Sequence, residues 1–518
     1  MRLRTLGNPM GYVRRIAGIA AVAAVATAGP AHAGQVIVVD GDHAQRVEDP
    51  AAPTRAEAAL GMETSAPMAS AARAPAPARR SRAASRRGRN AVYAALRREL
   101  RRKRIKRTDY RRWRSTYVRS VRTLRRLNGA RATQLRYVLT SVESLALRRR
   151  LGASRMPVAL LQLERNRQYW RRLPYPAPGD QVSFRGSEVL FQYFAGEGLQ
   201  LHPLSTFKKA NHLHGFCERK EPGCDEQALR RILDEMTELA VARGRGFIAW
   251  EYLFYFGGGT PPWMSGMAQA TGIQALGRAA TLLGEPKYVE TAQRALGAFE
   301  SAPPSGVRTT GPRGGVHYLQ YSFAPRLYIF NAFLQSLIGL HDFGRLAGDE
   351  RARRLFREAE PEARGEVPLS DVGDWSLYNY AGHESSSDYH ELLREFLQSM
   401  CTRRLGALYC EYARRYRGYQ IDPPELTWEG PEVATEDEPA AIRFNVSKLS
   451  AIEVKVINRD GKVTFGRLAT FRRGEGSFTW IPRGPGVFTV SVAAKELRTG
   501  LGKRDRDGGK IQVESRPG

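Results

Sequence analysis

The hydrophobic period of this chain changes once, near Pro423, and no single layer of structure can satisfy both halves. Up to that point apolar residues recur at helical spacing. In "DEQALRRILDEMTELAVARG" the residues Leu229, Ile232, Leu233, Met236 and Leu239 fall on one stripe, with Asp225 placed to cap the start and Gly244 to end it. "KYVETAQRALGAFES" puts Tyr288, Ala292, Leu296 and Phe299 in register. "LYIFNAFLQSLIGLHDF" and "DERARRLFREAE" make a further pair. After Pro423 the period drops to two: Ile442, Phe444, Val446; then Ile452, Val454, Val456, a turn at Asp460–Gly461, and Phe488, Val490, Val492. Helical pairs joined by short turns predict a mainly α fold, closed as an α/α toroid over 173–425. Short strands about ten residues apart predict a small β-sandwich over 438–515, reached through an acidic linker, "EGPEVATEDEPA".

Charge divides the chain in a second way. Of 518 residues, Lys and Arg number 81 and Asp and Glu 52, a net of +29. Residues 71–172 alone carry 32 basic and 4 acidic side chains, so nearly all the excess lies there. Within 90–172, Val92, Leu96 and Leu100, then Trp113, Tyr117, Val121 and Leu124, mark a basic amphipathic helical region, with two more helices near 131–150 and 157–170. Residues 34–89, rich in Ala, Pro, Ser and Arg, read as a disordered linker.

Arg2, Arg4, Arg14 and Arg15 precede the apolar run "IAGIAAVAAVATAGP", and "AHA" at 31–33 has the form of a cleavage site. Residues 1–33 are therefore expected to be a signal peptide, directing the protein to the cell envelope or the exterior. The run is short for a membrane span, and no later segment is apolar enough to cross a bilayer after the signal is removed. The four cysteines form two local pairs, Cys217 with Cys224 and Cys401 with Cys410. An even number in an exported chain suggests disulfides, each closing a short loop, and their spacing does not suit zinc. In that compartment the arginines suit an anionic envelope polymer better than nucleic acid, the alternative being a solvated helical face with no dedicated partner.

Nucleotide loops, zinc-protease signatures and the serine-hydrolase elbow are absent. Instead "PPWMSGMAQATGIQALGRAATLLGEPKYVETAQRALGAF", "GGVHYLQYSFAPRLYIFNAFLQSLIGLHDF", "DVGDWSLYN" with the later "SSDYH", and "GEGLQLHPLSTFKKANHL" occur in order. Together these segments, over about 185–405, resemble the C-terminal domain of the D-glucuronyl C5-epimerases. The resemblance implies an α/α barrel that inverts C5 of uronic acid units in a polysaccharide, without a cofactor. A base on one face of the sugar removes the C5 proton and an acid on the other returns one, while donors hold the carboxylate. Carried over by motif, the functional tyrosines fall on Tyr321, Tyr378 and Tyr389, with Tyr318 left a structural role. Gln320 stands where the family motif carries Glu. An amide cannot take a proton, so the base role passes to a tyrosine, or to Glu251 as a substitute carboxylate. Substrate contacts are expected from Gln320, His202, Trp263, Gln269, Asn331 and His390, with Lys208 and Lys209 as carboxylate partners. Trp263 could stack on a sugar or simply seed its helix. Two other readings remain at this level: a uronate lyase on the same scaffold, and a non-catalytic binder of envelope polysaccharide.

Overall fold

The computed structural model describes residues 34–59, 82–244, 246–505 and 509–517. The expected signal peptide lies outside them. The first segment is not a linker. β1 (Gly34–Asp40) and β2 (His43–Asp49) form a hairpin followed by α1 (Arg55–Ala59). "QVIVVD" is β-branched and buries Val36, Ile37 and Val39; the Ala, Pro and Arg around it mask that signal when composition is averaged over the whole stretch.

Four helices carry the basic region: α2 (Arg82–Arg101), α3 (Arg107–Arg126), α4 (Gly129–Leu147) and α5 (Met156–Trp170). Their inward residues, including Leu96, Tyr117, Val138 and Leu163, share one apolar core with the helices after residue 203. The arginines stay outside because a guanidinium cannot be buried cheaply without a partner. β3 (Gln181–Phe184), β4 (Phe191–Phe194) and β5 (Gly198–Leu201) then complete a five-stranded sheet, ordered β2-β1-β3-β4-β5. In it β1 runs parallel to β3, with Val36 opposite Gln181.

The central layer follows as α6 (Pro203–Glu218), α7 (Glu226–Leu239), β6 (Val241–Arg243), β7 (Phe247–Ala249), α8 (Gly266–Leu283) and α9 (Pro286–Ala295). It continues with β8 (Arg308–Thr310), β9 (Val316–Tyr318), α10 (Phe330–Leu346), α11 (Glu350–Glu366), α12 (Ser387–Thr402) and α13 (Ala407–Ile421). Asp225 caps α7 by accepting the Ala228 amide at 2.8 Å. Gly244 does not end that helix, which stops at Leu239; it turns β6 into β7 instead. α8 is buried on nearly every face, and it meets α10 closely because a Cβ on Gly339 would sit 2.5 Å from the Ala270 carbonyl. Cys217–Cys224 and Cys401–Cys410 are both bonded and close short loops.

The last segment holds β10 (Leu426–Trp428), β11 (Val433–Thr435), β12 (Ala440–Val446), β13 (Ser450–Ile457), β14 (Val463–Phe471), β15 (Gly474–Trp480), β16 (Gly486–Glu496), β17 (Gly502–Asp505) and β18 (Lys510–Glu514). They form a three-stranded sheet, β10-β12-β15, and a six-stranded sheet containing β13 and β16. The alternating residues of both, Ile442 and Phe444 from one and Val454 and Val490 from the other, enclose a second core. The acidic approach is part of this unit, since β11 pairs with β18.

The expectation of a mainly α fold closed as a toroid is corrected. Helix makes up 46% and strand 23%, in several sheets, so the chain is of mixed α and β composition. Three of those sheets lie before residue 319 and are built from strands of three to seven residues. Most are too short to register as a period of two.

Candidate active site

The hairpin of β8 and β9 runs on into Leu319, Gln320 and Tyr321, and these residues are fastened to the start of α8. Ser265 caps α8 by accepting the Ala268 amide at 3.2 Å, and its hydroxyl donates to Gln320 Oε1 at 3.3 Å. The Gly266 amide donates to the Leu319 and Gln320 carbonyls. No side chain fits at Gly266, because a Cβ there would collide with the Leu319 carbonyl. Tyr321 is thereby carried inward to 1% exposure.

Two other phenols meet it. Tyr378 lies on the loop between α11 and α12, and Tyr389 in the first turn of α12. Their rings pack edge to face at 4.7 Å, and Tyr321 shares a hydrogen bond with Tyr378. The three residues singled out by motif thus form one buried cluster drawn from three elements. Burial first, then the adjoining Tyr378 and Tyr389 phenols, raise the Tyr321 pKa well above its ordinary value. At neutral pH Tyr321 is therefore a proton donor. Tyr318, one residue pair away, faces elsewhere and donates to the Leu355 carbonyl at 2.8 Å.

The residues expected at the substrate divide into two groups. Trp263 is at the cluster: its ring lies 5.8 Å from Tyr321 and stacks on Tyr252 at 4.3 Å, while its indole N–H donates to the Phe254 carbonyl. Asn331 is also there, donating to the Tyr389 carbonyl at 3.1 Å with its Oδ1 buried and unpartnered. His202 packs edge to face against Tyr252 at 5.7 Å. Its Nδ1 caps α6 by accepting the Ser205 amide, which puts the proton on Nε2. Burial first, then Lys208, push its pKa down to about 3.

Gln269 and His390 are committed to the protein. Gln269 clasps the Trp250 backbone, donating to its carbonyl at 2.8 Å and accepting its amide at 3.1 Å. His390 stacks on Trp375 at 3.7 Å, with Nδ1 2.8 Å from the Ser376 hydroxyl and Nε2 3.0 Å from the Tyr416 carbonyl. Glu251 is no free carboxylate: Arg155 forks onto it at 2.5 and 2.8 Å, with Arg243 at 3.4 Å. Lys209 bridges Asp49 and Glu188, and Lys208 donates to the Glu57 carbonyl. Among the described residues, no group of three or more His, Cys, Asp and Glu is placed to hold a metal ion.

The motif reading passed over three aromatics, Tyr252, Phe256 and Phe323. The Phe256 and Phe323 rings flank Tyr321 at 5.6 and 5.3 Å. The aromatic run "EYLFYF" ahead of three glycines was the available signal for Tyr252 and Phe256.

The loop that carries Tyr378 is gripped from the C-terminal sheets. Arg498 donates to Asp374 at 3.0 Å and Glu384 at 2.9 Å, lying over Trp375 between them. The Leu449 amide adds a bond to Asp374 at 2.9 Å.

Comparison with known proteins singles out the stretch that contains this cluster. Residues 244–418 match the family model described as D-glucuronyl C5-epimerase C-terminus. A D-glucuronyl C5-epimerase of Caenorhabditis elegans is 30% identical over 179 residues, which are 31% of this chain and 29% of that protein. An uncharacterized protein of Methanocaldococcus jannaschii is 25% identical over 177 residues, 33% of this chain and 58% of that one. The chain therefore spans well under two thirds of either relative. Among solved structures, the cellobiose 2-epimerase of Spirochaeta thermophila shares 14% identity over 57% of this chain and 74% of that one, at a TM-score of 0.32. Endo-beta-1,4-glucanase CMCax from Acetobacter xylinum shares 13% over 41% and 67%, at 0.29. Likenesses that low fix neither fold nor chemistry.

Proposed function

Residues 244–418 belong to the D-glucuronyl C5-epimerase C-terminal family, and from that premise we propose that this protein inverts C5 of uronic acid residues in a polysaccharide. The observation that carries the reading is the convergence of Tyr321, Tyr378 and Tyr389 within the matched stretch. The reaction needs two proton-transfer groups and no redox step. One phenol of the Tyr321–Tyr378 pair, entering as phenolate, takes the C5 proton; the electron pair left on carbon is spread into the uronate carboxyl. The other phenol gives its proton to the opposite face and is left as phenolate. The hydrogen bond between the two, re-formed when product leaves, passes one proton back and resets the pair.

The raised pKa of Tyr321 supports the proton-donor role for that residue and leaves the phenolate role to Tyr378. Gln320, whose Oε1 accepts from Ser265, would position rather than exchange protons. The two disulfides favour export; no helix among the described residues is long and apolar enough to cross a membrane. The exposed guanidiniums of Arg111, Arg114, Arg122 and Arg125 on α3 give an anionic polymer a surface to lie on.

The test is incubation with uronic acid polysaccharides in deuterated water, with C5 exchange read by NMR. Wild type is expected to exchange C5 hydrogen. Tyr321→Phe and Tyr378→Phe are each expected to lower the rate by at least roughly a hundredfold while melting normally. Undiminished exchange in both variants refutes the proposal, and an unsaturated product absorbing in the ultraviolet would reassign the chemistry to a lyase.

A further inference from the structure

Burying a hydrogen-bond donor with no acceptor costs stability, so native proteins rarely keep one without a use. Two stand side by side at the first turn of α6. The His202 imidazole is fully buried; Nδ1 is occupied by the Ser205 amide, and Nε2–H meets no acceptor. The Tyr252 hydroxyl, 1% exposed, likewise meets no acceptor, and the two rings touch edge to face at 5.7 Å. A third unpartnered polar atom, Ser205 Oγ, lies one turn in. The Leu204 amide, among the first of α6, points its N–H at the Tyr252 oxygen, so it is the hydroxyl hydrogen that lacks a partner. The sixteen-residue helix directs the positive end of its dipole here, and the Lys208 ammonium adds to the same field. The hydrogens of His202 Nε2 and of the Tyr252 hydroxyl are left with no protein acceptor. The stack from Tyr252 through Trp263 leads directly to Tyr321.

We infer that His202 Nε2–H and Tyr252 O–H are a donor pair for a carboxylate, the carboxyl group of the sugar whose C5 faces the tyrosine cluster. This rests on the uronate reading above and deepens it. An anion at a helix N-terminus is held by amide dipoles without a counter-cation, and two neutral donors there stabilise the charge that spreads into the carboxyl as C5 loses its proton. A neutral hexose, with a hydroxymethyl group at that position, gains little from the same pair. Tyr252 and His202 are therefore residues that select an acidic sugar.

Tyr252→Phe isolates the donor, because it removes that hydroxyl and keeps the stack on Trp263. Its melting temperature is expected to stay close to that of wild type, since no protein acceptor of the hydroxyl is lost. Binding is measured by calorimetry with the methyl glycosides of glucuronate and of glucose. Wild type is expected to prefer the glucuronoside, and Tyr252→Phe to lose roughly tenfold or more of that preference. Independently of any variant, the His202 Nε2–H resonance of wild type is expected to move downfield on adding the glucuronoside and to stay put with the glucoside.

Equal affinity for the two glycosides, absence of glucuronoside binding, a preference that survives in Tyr252→Phe, or an unmoved His202 resonance would each overturn the inference. So would a marked fall in the variant's melting temperature, which would mean that the hydroxyl has a protein acceptor. Failure of the epimerase proposal is distinguishable: selective glucuronoside binding without C5 exchange leaves the donor pair standing and removes only the chemistry.

Discussion

At the scale of single residues, type and motif are poor guides to whether a polar group is free to work. His390 and His202 are both fully buried against aromatic rings. One has both ring nitrogens tied to Ser376 and Tyr416, and the other keeps Nε2–H unspent. Gln269 sits in one of the most specific motif segments and serves only to hold the Trp250 backbone. The motif picked out Tyr321, Tyr378 and Tyr389, which the fold brings together. The occupancy of a ring nitrogen was not legible, since it depends on which groups the fold brings to the ring, as it brings Ser376 and Tyr416 to His390. His390 yields a pH prediction. Burial, the largest cause, depresses its pKa from 6.5 to about 4. The unfolded chain then takes up a proton below about pH 6.5 that the native chain refuses until about pH 4, so stability falls as pH drops through that window, by up to about 3 kcal/mol. His390→Gln, lacking the group, is expected to lose less melting temperature than wild type between neutral pH and pH 4.5, whatever its starting value.

At the scale of elements, long helices announced themselves and short strands did not. α7 was readable from its apolar stripe and from Asp225, because a helix of fourteen residues repeats its pattern several times. β6 to β9, of three residues each, repeat nothing. They matter for the site nevertheless, since β9 leads into Gln320 and Tyr321. Ser265 is the joint between that hairpin and α8, acting as cap to one and donor to the other. Ser265→Ala is expected to cost about 1 kcal/mol for the lost cap, measured by denaturant unfolding. It should also lower C5 exchange, whereas Asp225→Ala, a cap of similar strength on α7, should cost stability alone.

At the scale of the whole molecule, the residues before and after Pro423 pack into two separate cores, and composition averaged over 34–89 hid the hairpin of β1 and β2. The basic helices belong to the main core and turn their charge outward. Polymer binding through them is expected to weaken by at least about tenfold as salt rises from about 0.05 to about 0.3 M, while binding of the methyl glucuronoside changes far less. The C-terminal sheets hold the loop of Tyr378 mainly through Arg498, with the Leu449 amide and Arg472 adding contacts to Asp374 and Glu384. Arg498→Ala should free the loop around Tyr378, raising amide exchange over residues 371–385 and costing on the order of 2 kcal/mol.

The seam between β1 and β3 has a consequence of its own. Val36 finds its place beside Gln181, so the strand made early, paired with β2 on one side, has no mate on its other side until the basic helices have been synthesised and packed. Parallel pairings of this reach form slowly. Until then "QVIVVD" is an uncovered edge, open to any passing strand. A chain cut short before residue 181 would keep that edge permanently, making premature termination a route to aggregates rather than to soluble fragments.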